Sequence, residues 1–327
     1  MLCCIEELYI DSSANGITQS GGCEIGPRPI DLHLKALRSM GATINDTNGG
    51  FIYCEADTLK GCEIQLDYPS VGATENIMLA SIFAEGDTYI HNAAKEPEIV
   101  DLQKFLVGIG VDVSGAGTSV IRISGSRKKL GTAEHYVMPD RIVAGTYMVA
   151  SGITGGEIIL KGIVPEHLNS VIHNLRDVGC HISIKDDQML VSGPLRPKAI
   201  DIIRTLPYPG FPTDMQAQMV SLLSVAAGTS IVIETVFENR YKHVEELLRM
   251  GANIKLEGRL AVIKGVNKLK GASVTARDLR GGAALVLAGL AAEGETIVSG
   301  VRHIDRGYES IENKLLQVGA DIKRVED

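Results

Sequence analysis

The chain has 327 residues, a length that suits about two domains, and its 45% hydrophobic and 22% charged residues are typical of a folded globular protein. A net charge of −8, the absence of a long Lys/Arg run and an aromatic content of only 4% argue against a nucleic-acid-binding protein. No apolar run approaches the roughly 18–20 residues of a membrane span. The first residues, MLCCIEELYIDSSANG, also lack the basic and apolar segments of a secretory signal. We therefore expect a cytoplasmic protein without nucleic-acid or membrane partners.

Two sequence patterns recur along the chain with a common period. The first, an apolar turn closed by glycine, has its glycines at Gly41, Gly110, Gly179, Gly251 and Gly319, which are 69, 69, 72 and 68 residues apart. The second, a small-residue apolar helix that ends in glycine and precedes a strand, has its glycines at Gly86, Gly156, Gly228 and Gly294. Two markers that share one period predict a repeat of about 70 residues.

Each repeat is expected to hold two helices and about four short strands. Proline should open a helix at Pro29, Pro97 and Pro165, because the first helical position tolerates a missing N–H. The closing glycines suit left-handed caps. The segment 165–178 predicts an amphipathic helix, whose buried face comprises Leu168, Val171, Ile172, Leu175 and Val178.

The pattern is interrupted between Ser126 and Met138. This predicts a boundary between a first domain, residues 1–138, and a second, residues 139–327, each with helices inside and short sheets outside. Residues 1–15 lack the small-residue helix that precedes the other copies, so the chain is expected to hold about four and a half repeats. We therefore expect the first domain to be incomplete.

Six cysteines are present, and none forms a CxxC pair or a zinc-like spacing with histidine. One of them, Cys23, lies between glycines in the loop GGCEIGPRPIDLH. Arg28 would favour its thiolate, whereas Glu24 would oppose it. From the residues alone, Cys23 is either a reactive thiol or part of a structural turn.

Three further segments place charge near predicted helix starts. Asp214, in YPGFPTDMQAQ, is either an N-terminal carboxylate of a helix or a catalytic base. Arg280, in ARDLRGGAAL, opposes the helix dipole at its position, which indicates an anionic partner. His303 and Arg306, in RHIDRGYES, are expected just before a helix. Arg280 and Arg306 together suggest an anion site, although Arg306 could also be solvated.

Seven segments together resemble the family of UDP-N-acetylglucosamine 1-carboxyvinyltransferases. In chain order they are GGCEIGPRPIDLH, PSVGATENIM, AAKEPEIVDL, FPTDMQAQ, ETVFENR, ARDLRGGAAL and HIDRGYE. The resemblance extends from about Gly21 to Asp327. It implies an α/β fold of the enolpyruvyl-transferase type, in which two domains of repeated βα units have helices inside and sheets outside, as an inside-out α/β barrel. The sister 3-phosphoshikimate family shares that fold but lacks the cysteine loop.

The resemblance implies a role for each matched residue. Cys23 matches the mobile-loop cysteine that fosfomycin modifies, and Asp214 matches the proposed base. Arg28, Arg280 and Arg306 match the arginines around phosphoenolpyruvate. The nucleotide-sugar contacts are the uridine segment Arg28, Pro29, Ile30, Asp31 and Leu32, the diphosphate loop Ser70, Val71 and Gly72, and the sugar contact Val236. Positions near the domain interface are matched by Glu96, Asp140, Arg141 and His303.

The implied reaction transfers enolpyruvyl from phosphoenolpyruvate to the 3′-hydroxyl of UDP-N-acetylglucosamine, the first committed step of peptidoglycan synthesis. It needs no metal and no cofactor. A Gly-Lys-Asn motif and a further arginine of the family are not found here, which suggests that about ninety residues, somewhat more than one repeat, are missing. We therefore expect a poor catalyst with an uncovered apolar face through which it could oligomerise. The alternative is an inactive homologue that only binds the nucleotide sugar or a paralogue.

Overall fold

The computed structural model describes residues 15–18, 30–47, 51–126 and 129–325. The described residues form two compact units, residues 15–138 and residues 139–325. Within those ranges no helix is both long and apolar enough to cross a bilayer.

The first unit has two sheets in its described part. Its helices are α1 (Asp31–Ser39), α2 (Val71–Ser81) and α3 (Pro97–Gly108). Its strands are β1 (Asn15–Thr18), β2 (Thr43–Thr47), β3 (Phe51–Glu55), β4 (Glu63–Gln65), β5 (Gly86–His91), β6 (Asp112–Ser114) and β7 (Val120–Gly125). The strand orders are β1-β3-β2 and β4-β5-β7-β6.

The second unit is larger. Its helices are α4 (Arg141–Thr154), α5 (Asn169–Asp177), α6 (Gln216–Leu223), α7 (Lys242–Arg249), α8 (Leu279–Leu290), α9 (Arg302–Asp305) and α10 (Ile311–Gln317). Its strands are β8 (Glu157–Lys161), β9 (His181–Lys185), β10 (Gln188–Ser192), β11 (Ile202–Arg204), β12 (Thr229–Ile233), β13 (Asn253–Glu257), β14 (Leu260–Lys264), β15 (Leu269–Lys270), β16 (Ser273–Thr275), β17 (Ala292–Glu293) and β18 (Ile297–Ser299). Single 3-10 turns cover Pro165–Leu168 and Thr213–Met215.

The predicted repeat is present in both units. Residues 63–125 and residues 202–264 each run strand, helix, strand, helix, strand, strand. In each, the first strand is parallel to the second, and the remaining pairs are antiparallel, as in β11-β12-β14-β13. The expectation of two helices and about four strands is confirmed for these two segments.

The repeating glycines end helices for the expected reason. Gly41, Gly110, Gly179, Gly251 and Gly319 have φ of 97°, 96°, 102°, 86° and 94°, in the left-handed region that favours glycine. Gly156, of the second pattern, lies between the end of α4 and the start of β8, and the left-handed cap of α4 is the preceding Gly155, at φ 71°.

Proline opens one helix as expected and not another. Pro97 is the first residue of α3. Pro165 instead opens the 3-10 turn, and α5 begins only at Asn169. Pro29 lies outside the described residues. The predicted apolar face of this segment is confirmed, since all five of its residues are buried.

Three mutually packed helices, α4, α6 and α8, form the centre of the second unit. All eight residues of α6 are buried, and so are residues 281–288 of α8. Small residues permit this close approach: a Cβ at Gly152 would lie 2.8 Å from the Leu222 side chain. The surrounding strands alternate in burial, as in β12, where Ser230 and Val232 face inward. Helices therefore lie inside and sheets outside.

The first unit contains a half-buried carboxyl group, Glu75, on α2. Burial, reinforced by Glu98 and Glu96, raises the pKa of Glu75 to about 7. The folded unit therefore holds a proton that the unfolded chain would release at pH 5 to 7.

We expect the first unit to become less stable as the pH rises from about 5 to about 8. Glu75→Gln should remove this dependence and stabilise the unit at pH 8 by roughly 2 kcal/mol, less than the full shift implies because part of the side chain meets solvent. Hydrogen exchange of α2 and α3 at both pH values measures the effect. Identical pH dependence in wild type and variant would contradict it.

Candidate active site

Asp214 is held between two arginines of the second unit. It lies in the 3-10 turn before α6, with 35% of its side chain exposed. Its Oδ1 accepts a hydrogen bond from Arg240 Nη2 at 2.6 Å, and its Oδ2 accepts one from Arg280 Nη2 at 3.3 Å. The side chain caps neither the 3-10 turn nor α6. Asp214 is therefore a first-turn carboxylate of the 3-10 turn, as one of the two sequence-based interpretations expected, but it makes no capping hydrogen bond.

The charges around Asp214 determine its protonation. Burial alone would favour the neutral acid, but Arg240 and Arg280 hold the pKa of Asp214 well below its usual range. Asp214 is therefore a carboxylate at neutral pH. It is a weak proton acceptor for as long as both guanidinium groups remain against it.

Arg280 has hydrogen-bond donors to spare. It is the second residue of α8, it is only 12% exposed, and its guanidinium carbon lies 5.3 Å from the centre of the Tyr308 ring. Burial opposes the charge, but Tyr308 and Asp214 hold the pKa of Arg280 above its usual range. Its Nε and Nη1 have no hydrogen-bond partner among the described residues. A buried guanidinium with open donors suits a carboxylate or phosphate.

Two neighbours fix the surroundings of Arg280. Asp278 caps α8, with its Oδ1 accepting from the Gly281 amide at 2.8 Å. The Tyr308 hydroxyl lies 2.8 Å from Thr146 Oγ1 and accepts from Gln218 Nε2 at 3.3 Å. The ring against Arg280 is therefore anchored to α4 and α6.

Arg240 was not among the predicted site residues. It is 4% exposed, and its guanidinium carbon lies 5.0 Å from the centre of the Phe237 ring. Its Nη1 donates to Thr213 Oγ1 at 3.0 Å while Nη2 binds Asp214. The segment ETVFENR contains this arginine, but nothing in its local spacing indicates that it reaches Asp214, because the contact spans 26 residues.

The other predicted residues of the second unit have structural partners. Val236 follows β12, and its amide donates to Glu234 Oε1 at 2.8 Å. Asp140 caps α4, with its Oδ1 accepting from the amides of Ile142 and Val143 at 2.8 and 2.9 Å. The Arg141 guanidinium carbon lies 5.7 Å from the centre of the Tyr208 ring.

The placement expected for His303 and Arg306 was wrong. His303 lies within the short helix α9 and not before it, and the exposed Arg306 follows that helix, five residues ahead of α10. Within α9, the buried side chain of Ile304 packs over Gly282 of α8, a contact that the local sequence pattern does not indicate.

In the first unit, two predicted substrate segments lie on adjoining helices. Ile30 precedes α1, and Asp31 and Leu32 open it. Ser70 caps α2, with its Oγ accepting from the Ala73 amide at 3.3 Å, and Val71 and Gly72 follow in the first turn. The helices are packed together.

His33 links those two helices. Its Nδ1 lies 2.6 Å from Asn76 Nδ2, and a Cβ at Gly72 would lie 3.4 Å from its ring. Burial lowers the pKa of His33 and so favours the neutral ring, whereas Asp31 has the opposite effect. Glu96 is buried immediately before α3. Cys23, Arg28 and Pro29 lie outside the described residues.

Across the described ranges, no three His, Cys, Asp or Glu side chains are grouped as a metal ion would require. The cysteines there are free thiols at Cys54, Cys62 and Cys180. Burial raises the pKa of each, that of Cys180 to about 11.

Sequence comparisons match the chain to 1-carboxyvinyltransferases. The sequence model of the family EPSP synthase (3-phosphoshikimate 1-carboxyvinyltransferase) matches residues 10–315. UDP-N-acetylglucosamine 1-carboxyvinyltransferase 2 of Caldanaerobacter subterraneus subsp. tengcongensis is 57% identical over 309 residues, covering 94% of this chain and 74% of the relative. A second such enzyme, from Carboxydothermus hydrogenoformans, is 56% identical over 305 residues, 93% of this chain and 72% of the relative.

Solved structures agree on the fold. The enolpyruvyl transferase NikO from Streptomyces tendae superimposes with a TM-score of 0.79 at 24% identity, over 90% of this chain and 72% of that one. An EPSP synthase from Acinetobacter baumannii gives a TM-score of 0.72 at 21% identity, over 95% of this chain and 75% of that one.

A buried histidine behind the site gives a pH prediction. His243 is 3% exposed, and burial lowers its pKa to about 4, with Asp278 opposing this effect and Arg240 adding to it. Between about pH 6.5 and 4 the unfolded chain therefore takes up a proton that the folded unit refuses, so stability falls as the pH falls.

As the pH falls from about 6.5 to 4, the free energy of unfolding of the second unit should decrease by about 3 kcal/mol more in wild type than in His243→Phe. Denaturant unfolding at both pH values measures this difference. Phenylalanine keeps a ring against Tyr241, whose centre lies 6.4 Å from that of His243. Equal losses in the two proteins would show that His243 does not titrate in this way.

Proposed function

We propose that this chain, which belongs to the family of UDP-N-acetylglucosamine 1-carboxyvinyltransferases, transfers the enolpyruvyl group of phosphoenolpyruvate to the 3′-hydroxyl of UDP-N-acetylglucosamine with release of phosphate. The fold is that of the enolpyruvyl transferases. The observation that carries the proposal is identity of 56–57% over 93–94% of the chain to enzymes named for this reaction. The arrangement of Asp214, Arg240 and Arg280 supplies chemistry that suits it.

Asp214 is the base and Arg280 an anchor for phosphoenolpyruvate. The open Nε and Nη1 donors of Arg280 suit an anionic oxygen of that substrate. An anion on these donors shares the positive charge of Arg280 with Asp214, which weakens the stabilisation of the Asp214 carboxylate and increases its basicity. Binding of one substrate therefore prepares the base for the other.

The reaction then proceeds in two steps. Asp214 takes the 3′-hydroxyl proton as that oxygen bonds to C2 of phosphoenolpyruvate, while C3 gains a proton and a tetrahedral intermediate forms. C3 then loses a proton and the bond between C2 and the phosphate oxygen breaks, which restores the double bond and releases phosphate. Arg280 stabilises the negative charge of the departing phosphate, together with Arg28 and Arg306.

The remaining contacts follow the family pattern. The start of α1, with Arg28 to Leu32 around it, holds the uridine. Ser70, Val71 and Gly72 hold the diphosphate, which suits the N-terminal end of an eleven-residue helix. Val236 contacts the sugar, and the family pattern assigns Cys23 a role toward phosphoenolpyruvate. The roles predicted for Glu96, Asp140, Arg141 and His303 stay predictions.

We place the reaction in the cytoplasm, at the first committed step of peptidoglycan synthesis, where it supports cell shape and division. The two compact units are taken as the two domains of the enzyme, residues 1–138 and residues 139–327.

Phosphate release that requires both substrates is the direct test. Asp214→Asn should lower kcat by about 100-fold or more, the usual contribution of a general base. Asp177→Asn is the matched control, because Asp177 lies on α5 against His173 at 3.5 Å, and it should retain wild-type turnover. No release by wild type would overturn the proposal and favour a homologue that only binds.

Fosfomycin should modify Cys23 in preference to the three described cysteines. Burial raises the pKa of Cys54, Cys62 and Cys180, which reduces their thiolate fractions. Mass spectrometry of treated protein locates the adduct. Cys23→Ala should abolish labelling, and an adduct on Cys180 would contradict the assignment.

A further inference from the structure

Glu234 is a buried carboxylate at the end of β12, and its two oxygens have different partners. The residue is 1% exposed. Its Oε1 accepts hydrogen bonds from Thr205 Oγ1 at 3.0 Å and from the amides of Val236 and Phe237 at 2.8 and 3.1 Å. This oxygen therefore shapes the loop that presents Val236.

The other oxygen points to the base. Oε2 accepts from Thr213 Oγ1 at 2.8 Å, and Thr213 Oγ1 in turn accepts from Arg240 Nη1 at 3.0 Å. Nη2 of the same guanidinium donates to Asp214 at 2.6 Å. A chain of three hydrogen bonds therefore joins Glu234 to Asp214.

The donor and acceptor of each hydrogen bond in that series are fixed. A carboxylate only accepts and a guanidinium only donates, so the Thr213 hydroxyl must direct its proton to Glu234 and its lone pair to Arg240. Arg240 is thereby held at two points of its planar fork, one at Thr213 and one at Asp214. Such two-point contact orients a guanidinium more narrowly than a single bond does.

We propose that Glu234 is a positioning residue of this enzyme: through Thr213 it orients the pair formed by Arg240 and Asp214, and through its other oxygen it holds the loop of Val236. The proposal rests on the proposed function for the roles of Asp214 and Val236. It assigns the two oxygens of one side chain to two different duties, one in the chemical step and one in sugar binding.

Glu234→Gln separates these duties. The glutamine Oε1 can keep the hydrogen bonds from Thr205, Val236 and Phe237. Its amide nitrogen is a donor, so the hydroxyl proton of Thr213 loses its acceptor. Thr213→Val removes the same link from the other side without changing charge. Thr213→Ser keeps the hydroxyl and should therefore restore the kcat that Thr213→Val loses.

The control is Glu246→Gln on α7. Glu246 is likewise 1% exposed, and its Oε2 accepts a backbone hydrogen bond, from the Thr275 amide at 3.3 Å. Glu246→Gln makes the same chemical change in a similarly buried carboxylate. The partners of Glu246 are not part of the hydrogen-bond series from Glu234 to Asp214.

Steady-state kinetics of phosphate release should show a lower kcat with a nearly unchanged KM for the sugar substrate. Glu234→Gln and Thr213→Val should each lower kcat by about 10- to 100-fold, the size of one hydrogen bond to a charged group. The KM for UDP-N-acetylglucosamine should stay within about threefold, because the Val236 loop is retained. The double variant should lose no more kcat than the more impaired single variant, because both substitutions break the same hydrogen bond between Glu234 and Thr213. Thr213→Ser and Glu246→Gln should retain kcat.

Amide hydrogen exchange gives a readout independent of turnover. The Met215 amide, which donates to the Pro212 carbonyl at 2.9 Å within the turn of Asp214, should exchange faster in Glu234→Gln and Thr213→Val but not in Glu246→Gln. The amides of Val236 and Phe237 should stay protected in Glu234→Gln.

The outcomes separate the two proposals. If wild type releases no phosphate, the proposed function fails, and the Met215 exchange pattern alone decides the positioning role. Unchanged Met215 exchange in both variants would overturn that role. So would a kcat of Glu234→Gln within threefold of wild type in an active enzyme, or equal losses of kcat in Thr213→Ser and Thr213→Val.

Discussion

The ion pairs of Asp214 with Arg240 and Arg280 join three separate stretches of the second unit. The turn before α6 carries the carboxylate, the segment before α7 carries Arg240, and the first turn of α8 carries Arg280. Removing charges of this kind from water costs several kcal/mol for each ion unless good partners are supplied. The surrounding structure, namely the Tyr308 ring, the Phe237 ring and the hydroxyl of Thr213, is arranged to supply those partners.

The same electrostatics explains a difficulty of the proposed mechanism. A carboxylate between two guanidinium groups is stable but is a poor base. The longer of its two contacts, 3.3 Å, is with the arginine that still has open donors. An anionic substrate on those donors can therefore share the charge of Arg280 while Arg240, held by Thr213, keeps Asp214 in place. The arrangement links the order of substrate binding to the strength of the base.

How far the sequence predicts this structure depends on the range of the interaction. The repeat, the left-handed glycines such as Gly251 and the apolar face of α5 are local patterns, and they predicted the fold well. Pro165 misplaced the start of α5 by four residues, because a 3-10 turn precedes that helix. Arg240 and Glu234 were missed because their importance comes from contacts across 21 to 29 residues of chain. No local spacing reports such contacts. The residues alone left Asp214 as either a helix-start carboxylate or a base, and the resemblance to a family favoured the base.

The most direct test of this account is the titration of Asp214 itself, followed by NMR of protein labelled with carbon-13 at the aspartate carboxyl carbons and assigned with Asp214→Asn. The account predicts that Asp214 remains ionised well below the usual range in the free protein, and that its pKa rises when phosphoenolpyruvate is added. An ordinary aspartate pKa in the free protein would contradict the ion-pair arrangement, and a pKa unmoved by phosphoenolpyruvate would contradict the sharing of the Arg280 charge between Asp214 and the substrate.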